Sequence, residues 1–388
     1  MQDFNVFSEA YKMIEKELHE MDSVNILIVG KTGTGKSTLI NSVFREEIAE
    51  TGTGKPVTQH LKKISKEGIP VNLYDTKGLE LDQTVQDQIK KEISDEIDKC
   101  NDLCLKKDDK SQLIHTCWYC IDGSGARCEE MDIEWISEIS QKIPVIVVIT
   151  KGFLKRDAKE FKKSIEELNL NCRAIIPLLA QPYEDRDEDD EDEDDVMIIP
   201  SYGLDKLVDV TYQVLPEGVR KSFNNAQRVS LDKKVDAARK WVTRYAATSG
   251  AIGCSPIPFS DAPLLATAQV SMIAHITTIF GLSIEKAVLS AIISSIAGVS
   301  GATFGGKTLV TNLLKFIPGV GTIAGGAISA SVASVMTISI GLAYTSVLKY
   351  IVEEEYKGNE ISTETITVKM KEELKKQFMI KKPFIIKK

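Results

Sequence analysis

The sequence predicts two successive architectures. The first is an α/β domain on a mainly parallel sheet with helices on both faces; the second is an all-α, Gly/Ala-rich helical domain. Three observations carry this. Apolar runs of strand length alternate with helical stretches from Val24 to about residue 215, as parallel strands require when each crossover is a helix. A glycine-rich turn from Gly30 to Ser37 joins the first run to the first helix. Between Tyr245 and Leu348 only five residues are charged: Asp261, Glu285, Lys286, Lys307 and Lys315.

At 388 residues the chain has room for two or three domains. Residues 3–21 have helical spacing inside a leading segment, 1–22. That segment carries acids and no apolar core run, so it does not read as a secretory signal. Strands are expected at 24–29, 60–66, 70–75, 113–121, 144–150 and 173–180, with helices at 36–45, 82–101, 129–141, 157–168 and 203–214. These make one domain over 23–215. It is interrupted by the run 184–195, which holds eleven acids and one Arg. Such charge density reads as a solvated loop, with cation binding or docking as the rival. The net charge is −8, while this run alone carries −10, so the rest of the chain is close to neutral. No basic stripe points to nucleic acid.

Residues 216–250 are expected to form a polar connecting helix, ended by the turn-rich GCSPIPFSDAP (253–263). The weakly charged domain then spans 251–350. A charged tail, 351–388, is expected to be helical as far as Pro383 and ends in lysines 381, 382, 387 and 388.

Seven cysteines raise a metal reading, since Cys100, Cys104, Cys117 and Cys120 have finger-like spacing. However, LIHTCWYCI (113–121) reads as a strand, and a separation of three puts Cys117 and Cys120 on opposite faces. Buried, reduced thiols of a cytosolic protein are therefore expected.

NILIVGKTGTGKSTLINSVF (25–44) contains G-x-x-x-x-G-K-S between an apolar strand and an amphipathic helix. Glycines let the backbone wrap phosphates so that N–H groups at the helix N-terminus point inward. Gly30, Lys31, Thr32, Gly33, Thr34, Gly35, Lys36, Ser37 and Thr38 are the expected nucleotide contacts. Lys36 supplies positive charge to the outer phosphates, and the Ser37 hydroxyl is a candidate Mg²⁺ ligand. VNLYDTKG (71–78) ends a strand in D-x-x-G. Asp75 is placed to hold Mg²⁺, and the Gly78 N–H to sense the terminal phosphate. In GTGKPVTQH (52–60), read as a mobile stretch without strand, Thr58 is the candidate hydroxyl for Mg²⁺, with Thr51 and Thr53 as rivals. The expected catalytic set is Lys36, Thr58 and Gly78; the expected metal set is Ser37, Thr58 and Asp75.

On these motifs the chain resembles GTPases of the Era and septin-like branch of the translation-factor class, with a P-loop NTPase G domain over about 24–215. The resemblance implies GTP/GDP and Mg²⁺ as cofactors, a cytoplasmic G domain, and pairing of two copies through their G domains. In such relatives an N/T-K-x-D motif reads guanine. Here Thr150 and Lys151 are in place, but Phe153 stands where Asp belongs, and of the last motif only Ala180 matches. An ATP-dependent or promiscuous triphosphatase therefore stays open beside a GTPase, as does a non-hydrolysing scaffold. Leu79 replaces the water-orienting Gln of many switch GTPases, which implies slow turnover.

The text IGCSPIPFSDAPLLATAQVSMIAHI (252–276) and the FIPGVGT turn (316–322) look like the YcjF-related domain, often membrane-attached in relatives. The uncharged stretches 287–306 and 316–348 are each long enough to span a bilayer. Gly321 and Gly325 would let helices pack closely there. The expectation is membrane association through 251–350, with a tightly packed soluble bundle as the rival.

Overall fold

A computed structural model of the chain describes residues 6–44, 48, 53–76, 83–107, 109–185, 197–252, 262–281, 289, 292, 330–356, 359 and 361–386. The chain divides into two units, Met21–Ser230 and Met1–Glu20 with Leu231–Lys388.

The first unit is a seven-stranded sheet in the order β2-β3-β4-β1-β5-β6-β7. Its strands are β1 (Val24–Val29), β2 (Thr53–Pro56), β3 (Leu61–Lys66), β4 (Ile69–Thr76), β5 (Thr116–Asp122), β6 (Val145–Thr150) and β7 (Ala174–Pro177). From β4 to β7 every pairing is parallel, while β2–β3 and β3–β4 are antiparallel. The central strands β1 and β6 are buried at every position, which is why they read as unbroken apolar runs rather than alternations.

Helices cover both faces. On one side α2 (Lys36–Val43), α6 (Leu204–Val214) and α7 (Glu217–Ala226) contribute Leu39, Leu207, Val219 and Phe223 to a core with Trp118 and Cys120. Phe44 stacks on Trp118, with ring centroids 5.8 Å apart, and meets Phe223 edge-on at 6.3 Å. On the other side α3 (Gln83–Lys107), α4 (Glu130–Ser140) and α5 (Lys155–Glu167) supply Ile89, Ile93, Trp135 and Phe161 to a core with Cys117 and Tyr119. Cys117 and Cys120 thus lie in opposite cores, both buried and free.

Of the boundaries that differ from the sequence reading, three have a visible physical cause. The segment around 52–60 is not strandless, because β2 pairs with β3 through Pro56↔Lys62. It escapes pattern recognition because an edge strand tolerates Pro and need not alternate. β5 starts at Thr116 rather than 113, because Asn25 takes the preceding backbone: its Nδ2 donates to Ser111 O and Leu113 O, each at 2.7 Å. The connecting segment 216–250 is two helices, not one. Gln227 breaks it, accepting from Ser230 N (2.8 Å) and donating to Ser230 O (2.9 Å). Glu184 and Asp185, the first residues of the acidic run, lie in β8 (Tyr183–Asp185), which pairs antiparallel with β9 (Met197–Ile199); residues 186–196 lie outside the described ones.

The second unit contains α1 (Val6–His19), α8 (Leu231–Ile252), α9 (Ala262–Phe280), α10 (Ala330–Tyr356) and α11 (Thr363–Ile386), around one core. The leading helix α1 therefore belongs to this bundle. His275 of α9 holds it, with Nε2 2.9 Å from Glu17, while Trp241 stacks on the imidazole at 4.2 Å. α8 and α10 approach closely enough that a Cβ on Gly341 would lie 2.5 Å from Val242 Cγ2. Thr337 Oγ1 donates to Ser249 Oγ at 2.9 Å, and Ser334 Oγ to Ala246 O at 2.9 Å. Over Ala330–Glu355 α10 has mean hydropathy 1.6 and is long enough to cross a membrane, yet 72% of that window is buried in the bundle. α11 runs past Pro383 to Ile386. Asp261, Gly321, Gly325 and nearly all of 287–306 lie outside the described residues.

Candidate functional site

β1 has β4 on one side and β5 on the other, so its C-terminal end opens at the point where crossovers leave in opposite directions, the usual place for a ligand crevice in such sheets. The loop 30–35 leaves β1 there. At Gly30 a Cβ would lie 2.5 Å from Cys120 O, so only glycine passes β5 at this distance. Gly35 caps α2 with φ 79° and ψ 22°, a left-handed conformation that glycine adopts without steric cost.

Lys36 Nζ donates to Gly30 O (2.7 Å) and Lys31 O (2.9 Å), so the loop's own carbonyls hold the ammonium over its concave side. Thr34 Oγ1 donates to Lys31 O at 2.9 Å. Lys31 points away to Glu129, 2.6 Å distant. Thr32, Ser37 and Thr38 are exposed. The result is a preformed loop with N–H groups open at the start of α2, one cation and three available hydroxyls.

Asp75 ends β4 opposite Ile28 of β1. Burial raises its carboxyl pKa, against the pull of Lys36 and Lys62. Its Oδ1 is sealed from solvent and has no hydrogen-bond partner. A buried, unpaired carboxylate oxygen is costly unless a cation is meant for it. Together with Lys36 and the exposed Ser37 hydroxyl, the donor set fits a hydrated Mg²⁺, a hard ion that prefers oxygen ligands.

Thr58 lies in the turn between β2 and β3. Its Oγ1 donates to Glu92 Oε2 of α3 and accepts from Leu61 N at 3.0 Å. Glu92 also accepts from His60 N (3.2 Å) and Gln88 Nε2 (3.1 Å). The candidate Mg²⁺ hydroxyl is therefore held by a carboxylate that the sequence alone did not single out. Thr51, Gly78 and Leu79 lie outside the described residues, and of Thr53 only the backbone is described.

The third wall follows β6. Thr150 is buried, and its Oγ1 sits 2.6 Å from Thr34 O and 3.0 Å from Ile121 O, bracing the phosphate loop from below. Lys151, at φ 51°, pairs with Asp122 at 2.7 Å. Burial acts to raise the Asp122 pKa, but hydrogen bonds from Lys151 and Ser124 outweigh it and hold the carboxyl below its usual range. Phe153 packs on Tyr183, with centroids 4.4 Å apart. Tyr202 Oη donates to Gly152 O at 2.7 Å. Ala180, partly buried, follows Leu179, which bridges to Tyr202. Asp122, Glu129 and Tyr202 were not foreseen. Asp122 stands at the tip of β5, beside the expected site, and that position was the available signal.

Residues 20–202 match the Septin family model, and residues 219–371 match a domain of unknown function, DUF697. Among curated relatives, neuronal-specific septin-3 of Danio rerio is 28% identical over 42% of this chain and 52% of its own length. Septin-14 of Mus musculus is 31% identical over 41% of each. The chain thus spans about half the length of the relatives it matches. Among solved structures, Cdc11 from Saccharomyces cerevisiae is 25% identical over 44% of this chain and 71% of that chain, with a TM-score of 0.28. Residues 20–202 therefore resemble the septin G domain, on a mainly parallel sheet with helices on both faces, and a helical region follows. The matches named here lie with septins and the domain of unknown function rather than with Era or YcjF proteins.

Proposed function

We propose that the protein is a GTP-binding, slowly hydrolysing molecular switch whose nucleotide state is coupled to the helical unit. One arrangement carries the reading: β1, the loop 30–35 and α2 hold Lys36 and the open N–H groups where successive phosphates would lie, beside the unpaired Asp75 Oδ1. Asp75 and Ser37 would hold Mg²⁺, which neutralises charge on the outer phosphates when bound. Lys36 would exchange two loop carbonyls for phosphate oxygens. Thr58 would leave Glu92, and Gly78 would meet the terminal phosphate, so that triphosphate reorders both segments. The Thr58 exchange is the switch, and the resemblance to septins supports guanine nucleotide as its ligand.

Identification of the nucleotide released from purified full-length protein tests this. GTP or GDP is expected, and Lys36→Ala should purify without it. An adenine nucleotide, or a Lys36→Ala variant that retains its load, would refute the guanine reading or the loop assignment respectively. A second reading, a nucleotide-promiscuous triphosphatase, is favoured by the tilted Phe153–Tyr183 ring contact at the position of the base-reading carboxylate. Membrane association through 251–350 is part of the proposal and rests on the uncharged stretches there. Sedimentation of full-length protein with membranes, against a product ending at Ser230 after α7, tests it.

A further inference from the structure

Helix α11 changes character along its length. Ile366, Met370, Leu374 and Phe378 form a buried i,i+4 stripe in the bundle core. Its outer surface instead presents Val368, Met379 and Ile380, which are 55%, 62% and 54% exposed. From Phe378 the apolar residues no longer keep to one stripe. Phe378, Met379 and Ile380 are consecutive, as are Phe384, Ile385 and Ile386, in a backbone that is helical to Ile386. Three consecutive helical positions cover about 200° of the circumference, so no single packed face can take them all.

The charge changes at the same place. The last carboxylates, Glu372 and Glu373, lie before Leu374, and Lys376 sits 3.5 Å from Glu373. Residues 374–388 hold six lysines, at 375, 376, 381, 382, 387 and 388, and no Asp or Glu. Exposed Met379 and Ile380 in a segment, 374–388, of six lysines and no acid are complementary to one kind of surface. Apolar side chains enter the acyl boundary, lysine stems lie along them, and the ammonium groups reach anionic headgroups. A protein groove would be matched by the single stripe that α11 has already given to its own bundle.

We propose that the C-terminal end of α11 docks on an anionic lipid bilayer as a peripheral, interfacial helix. This attachment is separate from the nucleotide site and from the uncharged 251–350 segment.

Full-length protein is mixed with phosphatidylcholine vesicles, with and without phosphatidylserine, and partition is measured at low and high salt. Partition through α11 should appear as the extra binding to phosphatidylserine vesicles that salt releases, whereas any binding through 251–350 is common to both vesicles and resists salt. Lys381→Ala with Lys382→Ala should weaken partition about 25-fold, at about five-fold per lysine near an anionic surface. Met379→Ser with Ile380→Ser should weaken it at least about ten-fold. Both apolar side chains are exposed, so helicity and nucleotide content should stay at wild-type values. Equal binding to neutral vesicles, or no binding to either, overturns the proposal. If a variant combining all four substitutions still binds like wild type, attachment lies elsewhere in the chain and α11 has no part in it.

Discussion

Glu92→Gln is the most informative single perturbation of the proposed switch. In the structure Glu92 is nearly buried, with its side chain 16% exposed. It accepts the Thr58 hydroxyl, the His60 amide at 3.2 Å and Gln88 Nε2 at 3.1 Å, and faces His60 Nδ1 at 3.2 Å. Hydrogen bonds to a charged group contribute about 1.5–3 kcal/mol each. Thr58 cannot both donate to Glu92 from this turn and move to ligate a cation, so the latch opposes the triphosphate state. Glutamine keeps the shape and removes the charge. Losing about 1.4 kcal/mol of latch shifts the equilibrium about ten-fold. GTP with Mg²⁺ should therefore bind about ten-fold tighter to Glu92→Gln, while GDP, which needs no Thr58 contact, should bind as before. Equilibrium titration with both nucleotides at fixed Mg²⁺ gives the ratio. The Glu92 pKa is lowered: burial pushes it up, but hydrogen bonds from Thr58, His60 and Gln88 outweigh this. A depressed carboxylate contributes stability that is present above its unfolded value and lost as pH falls through the folded one. The difference in unfolding free energy between wild type and Glu92→Gln should therefore shrink on acidification. If both nucleotides keep wild-type affinity in the variant, the contact is purely structural and the switch reasoning fails.

Three further outcomes follow from the geometry. Asp75→Asn should stabilise the nucleotide-free protein by about 1 kcal/mol, because it removes a charge whose burial outweighs the pull of Lys36 and Lys62, yet abolish Mg²⁺-dependent triphosphate binding. Since the folded Asp75 pKa is raised, this advantage should fade as pH falls and the wild-type carboxyl protonates; thermal melts across pH check it. Phe153→Asp should gain about ten-fold in guanine over adenine selectivity, the lower range for a charged hydrogen bond, in competition binding. Gly341→Ala should cost about 1–3 kcal/mol, because its Cβ would meet Val242 Cγ2 at 2.5 Å and Met272 Sδ at 2.9 Å in a packed core; denaturant unfolding measures it.

The sequence made the G domain legible because its signals are local. β1 coincides with VNILIV, and α2 begins at Lys36, since apolar runs and a glycine-rich turn are written in adjacent residues. β2 was missed because an edge strand buries little and its pairing to β3 is not encoded in its own pattern. Gln227 was missed for a related reason: its side chain bonds only Ser230 within the break, which no periodicity reveals. The same limit governs the site. Lys36, Ser37 and Asp75 are recognisable by motif, whereas Glu92 reaches Thr58 from 34 residues away. Asp122 meets Lys151 across two strands whose register, Asp122↔Thr150, appears only in the folded sheet.

Hydropathy leaves two readings open where small residues are dense, and α10 shows why. Lipid and a bundle interior both accept uncharged helices, so composition cannot separate them. The polar atoms can. Ser334 and Thr337 reach α8, and Tyr344 Oη lies 2.6 Å from Thr277 Oγ1 of α9. Gly250 meets α10 so closely that a Cβ would lie 2.5 Å from Ser334 Oγ. Partners therefore lie on more than one side of α10, and with 72% of its window covered little of this helix is left for lipid. A contact of the helical unit with a bilayer then needs apolar surface that the bundle leaves open. Among the described residues α11 offers it, because there Met379 and Ile380 are exposed beside lysines instead of packed against neighbours.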